Sequence, residues 1–321
     1  MALPPALQAA VNALLEGRAR GPIAERSAQI SDCYRSGGHS GAAITSDNDV
    51  LAYLLARLPA TYAAVAGVLE EVGARCAFEP KTLTDIGAGP GTASWAAFEA
   101  WPALERVAMI DSSAVFLDMA RKLAAASSSN VLVNAETRLG DVTRLSDLAS
   151  SDLVIASYAL AEVPGAALTE TAMALWKSCT GILILVEPGT PAGYERIVAC
   201  RSALIADGAN IIAPCPHAAP CPIVAPDWCH FSQRLARSRD HMIVKAANVP
   251  FEDEKFSYLA VARDHVAIER YEARVLAPPK KDKTGIAMKV CANGKIAQRK
   301  VPSRDRAALS RARDLRWGDS F

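Results

Sequence analysis

Residues 82–91 read Thr-Leu-Thr-Asp-Ile-Gly-Ala-Gly-Pro-Gly, and this stretch decides the fold. Thr82–Ile86 has the length and apolar character of a strand. It ends in Asp85-Ile86-Gly87-Ala88-Gly89-Pro90-Gly91, and the helical stretch Thr92–Ala100 follows. Glycines let the backbone turn sharply and approach a ligand that a side chain would exclude. A loop from strand to helix also aims free N–H groups at that ligand.

The same rhythm repeats outward. Apolar runs at Val107–Ile110, Val131–Val133, Leu153–Ala156 and Ile182–Val186 predict strands, and Ala114–Ala126, Ala167–Lys177 and 191–206 predict helices. Such alternation argues for a doubly wound parallel sheet covered on both faces. The second strand ends at Asp111, 24 residues after Gly87, where a carboxylate can accept hydrogen bonds from both ribose hydroxyls of a nucleoside. Gly140-Asp141-Val142 follows the third predicted strand, where an acid can hold an adenine amino group.

This constellation resembles the class I S-adenosylmethionine-dependent methyltransferases. Asp85, Gly87, Ala88, Gly89 and Gly91 match their first motif, and Asp111 and Asp141 match the second and third. A nicotinamide-binding Rossmann domain is the rival. The Asp that opens the glycine motif and the Pro inside it argue against that rival. The segment after the fourth strand, Ser157-Tyr158-Ala159-Leu160-Ala161-Glu162-Val163-Pro164, faces the methyl donor in this fold. It contains neither Asn-Pro-Pro-Tyr nor Asp-Pro-Pro-Tyr nor Pro-Cys. Tyr158 and Glu162 are the candidates for positioning a substrate there, against the plainer reading that they line the pocket.

Before this core, residues 1–75 read as helices. Leu51, Leu54, Leu55 and Leu58 recur at helical spacing, Val65, Val68, Leu69 and Val72 repeat it after a break at Pro59, and Gly37-Gly38 and Gly41 mark a loop. After residue 207 the rhythm fails. Residues 213–230 hold five prolines and three cysteines, a strand pattern returns at Phe256–Ala262, and Asn293-Gly294 joins two alternating runs, Ile286–Cys291 and Ile296–Val301, as a hairpin. Arg304–Trp317 reads as a basic helix. The domain boundaries predicted are 1–75 (helical), 76–206 (donor-binding core), 207–270 (cysteine-rich insertion and final core strands) and 271–321 (hairpin and basic tail).

Cys215, Cys221 and Cys229 stand within 15 residues on this proline-rich loop, placed to wrap one metal centre. Proline lowers the entropy cost of ordering such a loop. Cys291 beside the hairpin turn is the best fourth ligand, with His217, His230 and His241 as rivals. Four thiolates hold either tetrahedral zinc or an iron–sulfur cluster, and gaps of five and seven residues suit the larger group better than short Cys-x-x-Cys knuckles do.

The composition bounds the rest. At 321 residues and 34.0 kDa the chain has room for two domains or one enlarged one. Hydrophobic residues at 51% exclude a disordered chain, and a net charge of +1 excludes a globally basic nucleic-acid coat. That sum hides an asymmetry. Residues 280–321 hold 12 Lys/Arg against 4 Asp/Glu, a net of +8, and the remainder holds 23 against 30, a net of −7. A basic tail on a near-neutral body points to a polyanionic partner. No apolar run reaches about 18 residues, so no membrane helix is expected. Met1–Gly21 reads as an amphipathic helix and not as a secretory signal. A cytoplasmic monomer is expected, mitochondrial only if the source is eukaryotic.

Together these segments resemble the methyltransferase-like proteins of the mitochondrial small ribosomal subunit and their bacterial relatives, the Rsm-type family. The resemblance rests on Tyr53-Leu54-Leu55-Ala56-Arg57-Leu58-Pro59-Ala60-Thr61-Tyr62, on Asp85–Gly91 and on Glu187-Pro188-Gly189. Its most specific parts are the Cys-Pro-His…Cys-Pro…Trp-Cys-His-Phe segment and the ending Arg316-Trp317-Gly318-Asp319. It implies a methyltransferase fold that acts on, or docks to, small-subunit ribosomal RNA during assembly. It also implies a 4Fe–4S cluster on Cys215, Cys221, Cys229 and Cys291, with zinc as the alternative. Two other readings stand beside it: a non-catalytic assembly factor that keeps the fold and cluster as a binding platform, and a small-molecule methyltransferase.

Overall fold

The computed structural model describes residues 1–35, 44–144 and 148–321. The loop expected at Gly37, Gly38 and Gly41 lies outside the described residues. Four helices come first: α1 (Pro5–Leu15), α2 (Arg20–Arg35), α3 (Asp47–Ala56) and α4 (Leu58–Arg75). Ser46 starts α3 with a capping box, its hydroxyl accepting from the Asp49 N–H while Asp49 reaches back to the Ser46 N–H. Pro59 sits in the first turn of α4, where a missing N–H costs nothing, and the two helices meet at a 48° bend. Among the described residues no single helix is long and apolar enough to cross a membrane.

The strands β1 (Thr82–Ile86), β2 (Arg106–Asp111), β3 (Glu136–Leu139), β4 (Ser151–Ser157), β5 (Cys179–Pro188), β6 (Asn210–Ala213), β7 (Phe231–Ala236) and β8 (Phe251–Ala262) build one sheet. Its order is β3-β2-β1-β4-β5-β8-β6, with β7 also paired to β8. β1 to β5 are parallel, and β8 runs antiparallel to its neighbours β5, β6 and β7. The result is an α/β Rossmann-like sheet of mixed direction. Its central strands are apolar without alternation because both faces are covered. Leu153 and Ile155 of β4 point into one core, with α1, α3 and α4 over it, and Val154 and Ala156 point into the other. Between strands run α5 (Thr92–Ala100), α6 (Ala114–Ala124), α7 (Asn130–Val133), α8 (Leu168–Ser178) and α9 (Pro191–Ala206), and α10 (Arg239–Val244) precedes β8.

A second sheet follows, of β9 (Ala273–Val275), β10 (Lys280–Asp282), β11 (Gly285–Ala292) and β12 (Lys295–Pro302), with α11 (Arg306–Ala312) packed on it. Asn293 and Gly294 have φ of 49° and 72°, the paired positive values of a two-residue hairpin turn. Ile286, Met288 and Val290 on one face of β11 meet Ala312, Leu309 and Leu315. The other face carries Cys291.

Two sequence expectations are corrected. Val131–Val133 is not the third strand but part of α7. Ser129 Oγ accepts from the Val131 N–H at 3.2 Å and starts a helical turn, and the strand that pairs with β2 is Glu136–Leu139, at the sheet edge where polar residues are tolerated. The basic helix expected over Arg304–Trp317 is confined to α11, capped by Asp305. The chain then turns back, so that the Ala273 N–H donates to Phe321 O and the Phe321 N–H to Ala273 O.

Candidate functional site

The glycine loop lies between the carboxyl ends of β1 and β2. Gly87, Gly89 and Gly91 all have positive φ (65°, 55° and 82°), which L side chains rarely adopt. Their surroundings differ. A Cβ on Gly87 would come within 2.5 Å of Ala159 Cβ, so this glycine lets the loop pass under the β4 tip. A Cβ on Gly89 would meet nothing within 4 Å. Gly89 therefore faces open space, a cradle that a side chain would fill.

The acids predicted from sequence are divided between this cradle and the loop's own architecture. Asp111 Oδ2 accepts from the Gly89 N–H and Oδ1 from the Ser113 N–H, both at 2.8 Å, so it ties the loop to the β2 end. Burial pushes its carboxyl up, the two backbone N–H groups counter that, and the Glu162 charge adds to the rise. Glu162 thus stands near Asp111, on the 3-10 turn Leu160–Glu162. Asp85 is fully buried. Its Oδ2 accepts from the Ser94 N–H (3.0 Å) and hydroxyl (2.7 Å), and its Oδ1 has no partner among the described residues. Burial raises Asp85 to about 7. Asp141 is exposed and folds onto its own turn, accepting from the Thr143 N–H (2.8 Å) and hydroxyl (2.7 Å).

Tyr158 leaves β4 with φ of 60°, an uncommon conformation for a bulky side chain. Its N–H donates to Val186 O at 2.7 Å, and its hydroxyl donates to Glu254 Oε1 at 2.8 Å. Arg57, from the α3–α4 junction, reaches the same oxygen at 3.8 Å. The predicted substrate residue is thereby linked to β8 and the helical region, through partners that no local sequence pattern marks. Below it, Glu187 at the end of β5 is fully buried against Arg196 Nε at 2.6 Å.

Cys215, Cys221, Cys229 and Cys291 all line one cavity of about 30 Å³ beside α9. Among the described residues no three His, Cys, Asp or Glu side chains converge as they would on a single metal ion. Tyr194 Oη lies 3.2 Å from Cys221 Sγ, and His217 Nε2 lies 3.3 Å from Cys291 Sγ. Of the other histidines considered as ligands, His230 stacks on Trp228 and meets Trp317 edge-on, whereas His241 faces Glu252 at 3.1 Å and lines no part of this cavity. Burial is the main force that raises the Cys215, Cys229 and Cys291 thiols, and neighbouring thiols add to it.

The cations nearest in sequence, Arg234, Arg237, Arg239 and Lys245, are not the ones at the cavity. Arg234 pairs with Asp253, and Arg237 and Lys245 pair with Glu252. Arg201 and Arg274 line it instead, 3% and 1% exposed. Arg274 fastens four segments together. Its guanidinium donates to Pro214 O (2.9 Å), Gly318 O (2.6 Å), Glu71 Oε1 (2.7 Å) and Tyr271 Oη (2.7 Å). The Trp-Gly-Asp ending therefore forms part of the wall behind the cysteines. In the basic segment, Arg299 pairs with Glu272 and Lys289 with Asp227. Lys280, Lys283, Lys295, Lys300, Arg304, Arg306 and Arg311 are exposed.

Comparison with known proteins agrees with this picture. Residues 47–321 match the family described as mitochondrial small ribosomal subunit Rsm22. The human ribosome assembly protein METTL17, mitochondrial, is 34% identical over 231 residues, which span 66% of this chain and 48% of that protein. The Rsm22-cox11 tandem protein 2, mitochondrial, of Schizosaccharomyces pombe is 25% identical, over 86% of this chain and 43% of that protein. The chain thus spans about half the length of the curated relatives it matches. Among solved structures, the magnesium protoporphyrin IX methyltransferase of Synechocystis with bound SAM superposes with a TM-score of 0.43 at 16% identity, covering 74% of this chain and 97% of that one. With a glycine loop at the β1–β2 ends of a Rossmann-like sheet and a family match over most of its length, the chain belongs to the Rsm22 family of class I methyltransferase-like proteins.

Proposed function

We propose that this protein binds S-adenosylmethionine and acts on, or docks to, small-subunit ribosomal RNA during ribosome assembly, with a 4Fe–4S cluster on Cys215, Cys221, Cys229 and Cys291. The observation that carries donor binding is the open cradle at Gly89, tied to Asp111 and lying near the unpartnered Oδ1 of buried Asp85 in sequence and fold. These groups fit the donor. Gly87, Ala88, Gly89 and Gly91 would pass beside its amino-acid part, Asp111 has lone pairs left for ribose hydroxyls, and Asp141 would turn toward the adenine. The bound donor supplies an electrophilic methyl group on sulfonium sulfur. Tyr158 and Glu162 edge the acceptor side. The Glu254 contact holds the Tyr158 ring in place while its hydroxyl is already committed as a donor. That commitment also supports the second reading, an assembly factor that keeps the pocket without transferring a methyl group.

The four thiols fit a metal group in that they share one buried cavity. A single zinc at about 2.3 Å from sulfur would hold thiolates roughly 3.8 Å apart. The choice of cluster over zinc rests on the family resemblance and on the gaps of five and seven residues between Cys215, Cys221 and Cys229. The names of the curated relatives support a ribosomal partner and the mitochondrial alternative for location, and lend nothing to the cytoplasmic expectation.

The deciding experiment is transfer of a labelled methyl group from S-adenosylmethionine to naked ribosomal RNA or to immature small subunits. Label in either supports the enzyme, and donor binding without transfer supports the assembly factor. Gly89→Ala clashes with nothing but strains a backbone of φ 55° by about 1–2 kcal/mol, so it should leave the sheet folded yet weaken donor binding tenfold or more, about 1.4 kcal/mol, in calorimetry. Asp111→Ala should do the same by releasing the loop. No heat with the wild type at millimolar donor would remove the donor from this reading.

The basic segment is the proposed RNA contact. Deleting the last residues is a poor test, since Gly318 and Phe321 hold the second sheet together. Neutralising Lys295, Lys300, Arg304, Arg306 and Arg311 to Gln spares those contacts. Each lost phosphate contact should flatten the log–log salt dependence of RNA binding by roughly 0.7–0.9. An unchanged slope would make the segment a solvated face.

A further inference from the structure

We propose that Arg201 is the counter-ion of the cysteine site, a positioning residue whose buried charge is matched only by the anionic group that the four thiolates hold. This rests on the four-cysteine reading above and extends it to a residue outside the ligand set.

The sequence already holds the anomaly. The buried face of α9 is Tyr194, Ile197, Arg201 and Leu204, at spacings of three, four and three residues, so an arginine occupies a position where periodicity calls for an apolar side chain. The structure does not move it to the surface. Arg201 is 3% exposed and lines the cysteine cavity together with Tyr194 and Ile197. A guanidinium taken out of water costs several kcal/mol unless an opposite charge repays it.

Arg274, the other buried arginine among the described residues, and half-buried Arg196 on the same helix as Arg201 each have such a partner. Arg274 has Glu71 at 2.7 Å, and Arg196 has Glu187 at 2.6 Å. Arg201 has neutral carbonyls. Its Nη2 donates to His217 O and Ala219 O, both at 2.8 Å, and its Nε has no partner among the described residues. No carboxylate of the described residues forms an ion pair with it. What faces it across the cavity is sulfur, with Cys215 the thiol that it most directly favours in the ionised form.

Four thiolates around a dipositive ion or core carry roughly −2. Glu71 is shared by Arg274 and Arg75, and Arg201 is the lining arginine with no carboxylate of its own, so its charge offsets about half of that −2. The sulfur neighbours agree with this assignment: Tyr194 Oη stands 3.2 Å from Cys221 and His217 Nε2 3.3 Å from Cys291, polar groups able to donate to electron-rich sulfur. Two functions follow from one position. The two carbonyl bonds hold the loop 217–219 against α9, and the charge stabilises the bound group, most strongly in its more negative oxidation state.

The test compares anaerobically purified wild type, R201Q and R201K for iron, sulfide and zinc content, for the rate of metal loss to EDTA and, when iron is present, for reduction potential. R201Q should lose metal about 10–100-fold faster than wild type, the usual range for residues behind metal ligands. Its potential should shift to more negative values, because adding an electron to an anionic group is harder without the cation. R201K keeps the charge but lacks the planar fork, and should stay near wild type in both readouts. Wild-type behaviour of R201Q overturns the proposal. So does R201K failing as badly as R201Q, which would reduce Arg201 to a tether of two carbonyls. Should R201Q not fold, R201K decides alone by the same criterion. A wild type without iron or zinc removes the four-cysteine reading and this proposal with it, and the metal analysis of the wild type alone identifies that outcome.

Discussion

Cys229→Ser protein is expected to be colourless after anaerobic purification and to lose compact structure after residue 207, while the wild type is brown with about four irons per chain. Cys229 is half-buried and lines the cavity with the other three thiols. Burial raises it well above the ordinary thiol range, and the neighbouring Cys215, Cys221 and Cys291 add to the rise. Burial also raises Cys215 and Cys291, so without a metal these three thiols bring no charge for Arg201. On the proposed four-cysteine reading, metal binding would release their protons and be coupled to the folding of this region. The substitution removes one ligand and leaves a hydroxyl among Phe231, Tyr258 and sulfur. Limited proteolysis should cut the 214–230 loop and the second sheet while residues 82–206 resist. A colourless wild type with one zinc per chain would replace the cluster by zinc and keep the site. Full metal content in Cys291→Ser would show the fourth ligand to be another residue, with His217 the nearest.

Arg274→Met is expected to destabilise the protein by about 3–5 kcal/mol, the range for stripping one partner from a buried ion pair. Methionine fills much of the same space and makes none of the four hydrogen bonds, so Gly318 O loses its side-chain donor while Pro214 O and the Tyr271 hydroxyl keep only each other. Glu71 keeps only Arg75 and Ser320. The pair also carries a pH signature. Burial pushes Glu71 up, but Arg274 and Arg75 more than offset it and hold the carboxyl below its ordinary range. A depressed acid stabilises the fold above its unfolded pKa of about 4.3 and loses that contribution as pH falls through the lower folded value. Denaturant midpoints of wild type and variant should therefore approach each other below about pH 4. A loss under about 1 kcal/mol at neutral pH would mean that the four segments are held by packing alone.

The Rossmann-like half of the molecule was legible because its information is local. Asp85–Gly91, the apolar runs and Asn293-Gly294 each specify backbone within a few residues, and the strands formed where those runs stand. Val131–Val133 misled for the same local reason: an apolar triplet carries no sign that Ser129 caps it into a helical turn. The short strands Asn210–Ala213 and Phe231–Ala236 were invisible, since what makes them strands is β8, which follows in sequence. The cavity residues Arg201 and Arg274 were missed because their partners lie far along the chain. Pro214 is 60 residues from Arg274, and Glu71 is 203 away. The arginines nearer in sequence to the cysteines, Arg234 and Arg237, pair instead with Asp253 and Glu252 across β7 and β8.

The wall that Arg274 builds also sets an order of events during synthesis. Strands β1 to β5 pair through crossovers of a few tens of residues, a closure whose entropy cost rises only slowly with loop length, and they can assemble while translation continues. The cysteine cavity cannot. Its first three thiols emerge by residue 229, its fourth 62 residues later, and the strand that pairs with Ala273 only at Gly318–Phe321. Until then three thiols sit on an unclosed loop in a nascent chain whose main sheet has already paired. Closing of this cavity thus waits for Cys291 and for residues 318–321, and the interval after residue 229 is when its first three thiols are most open to oxidation.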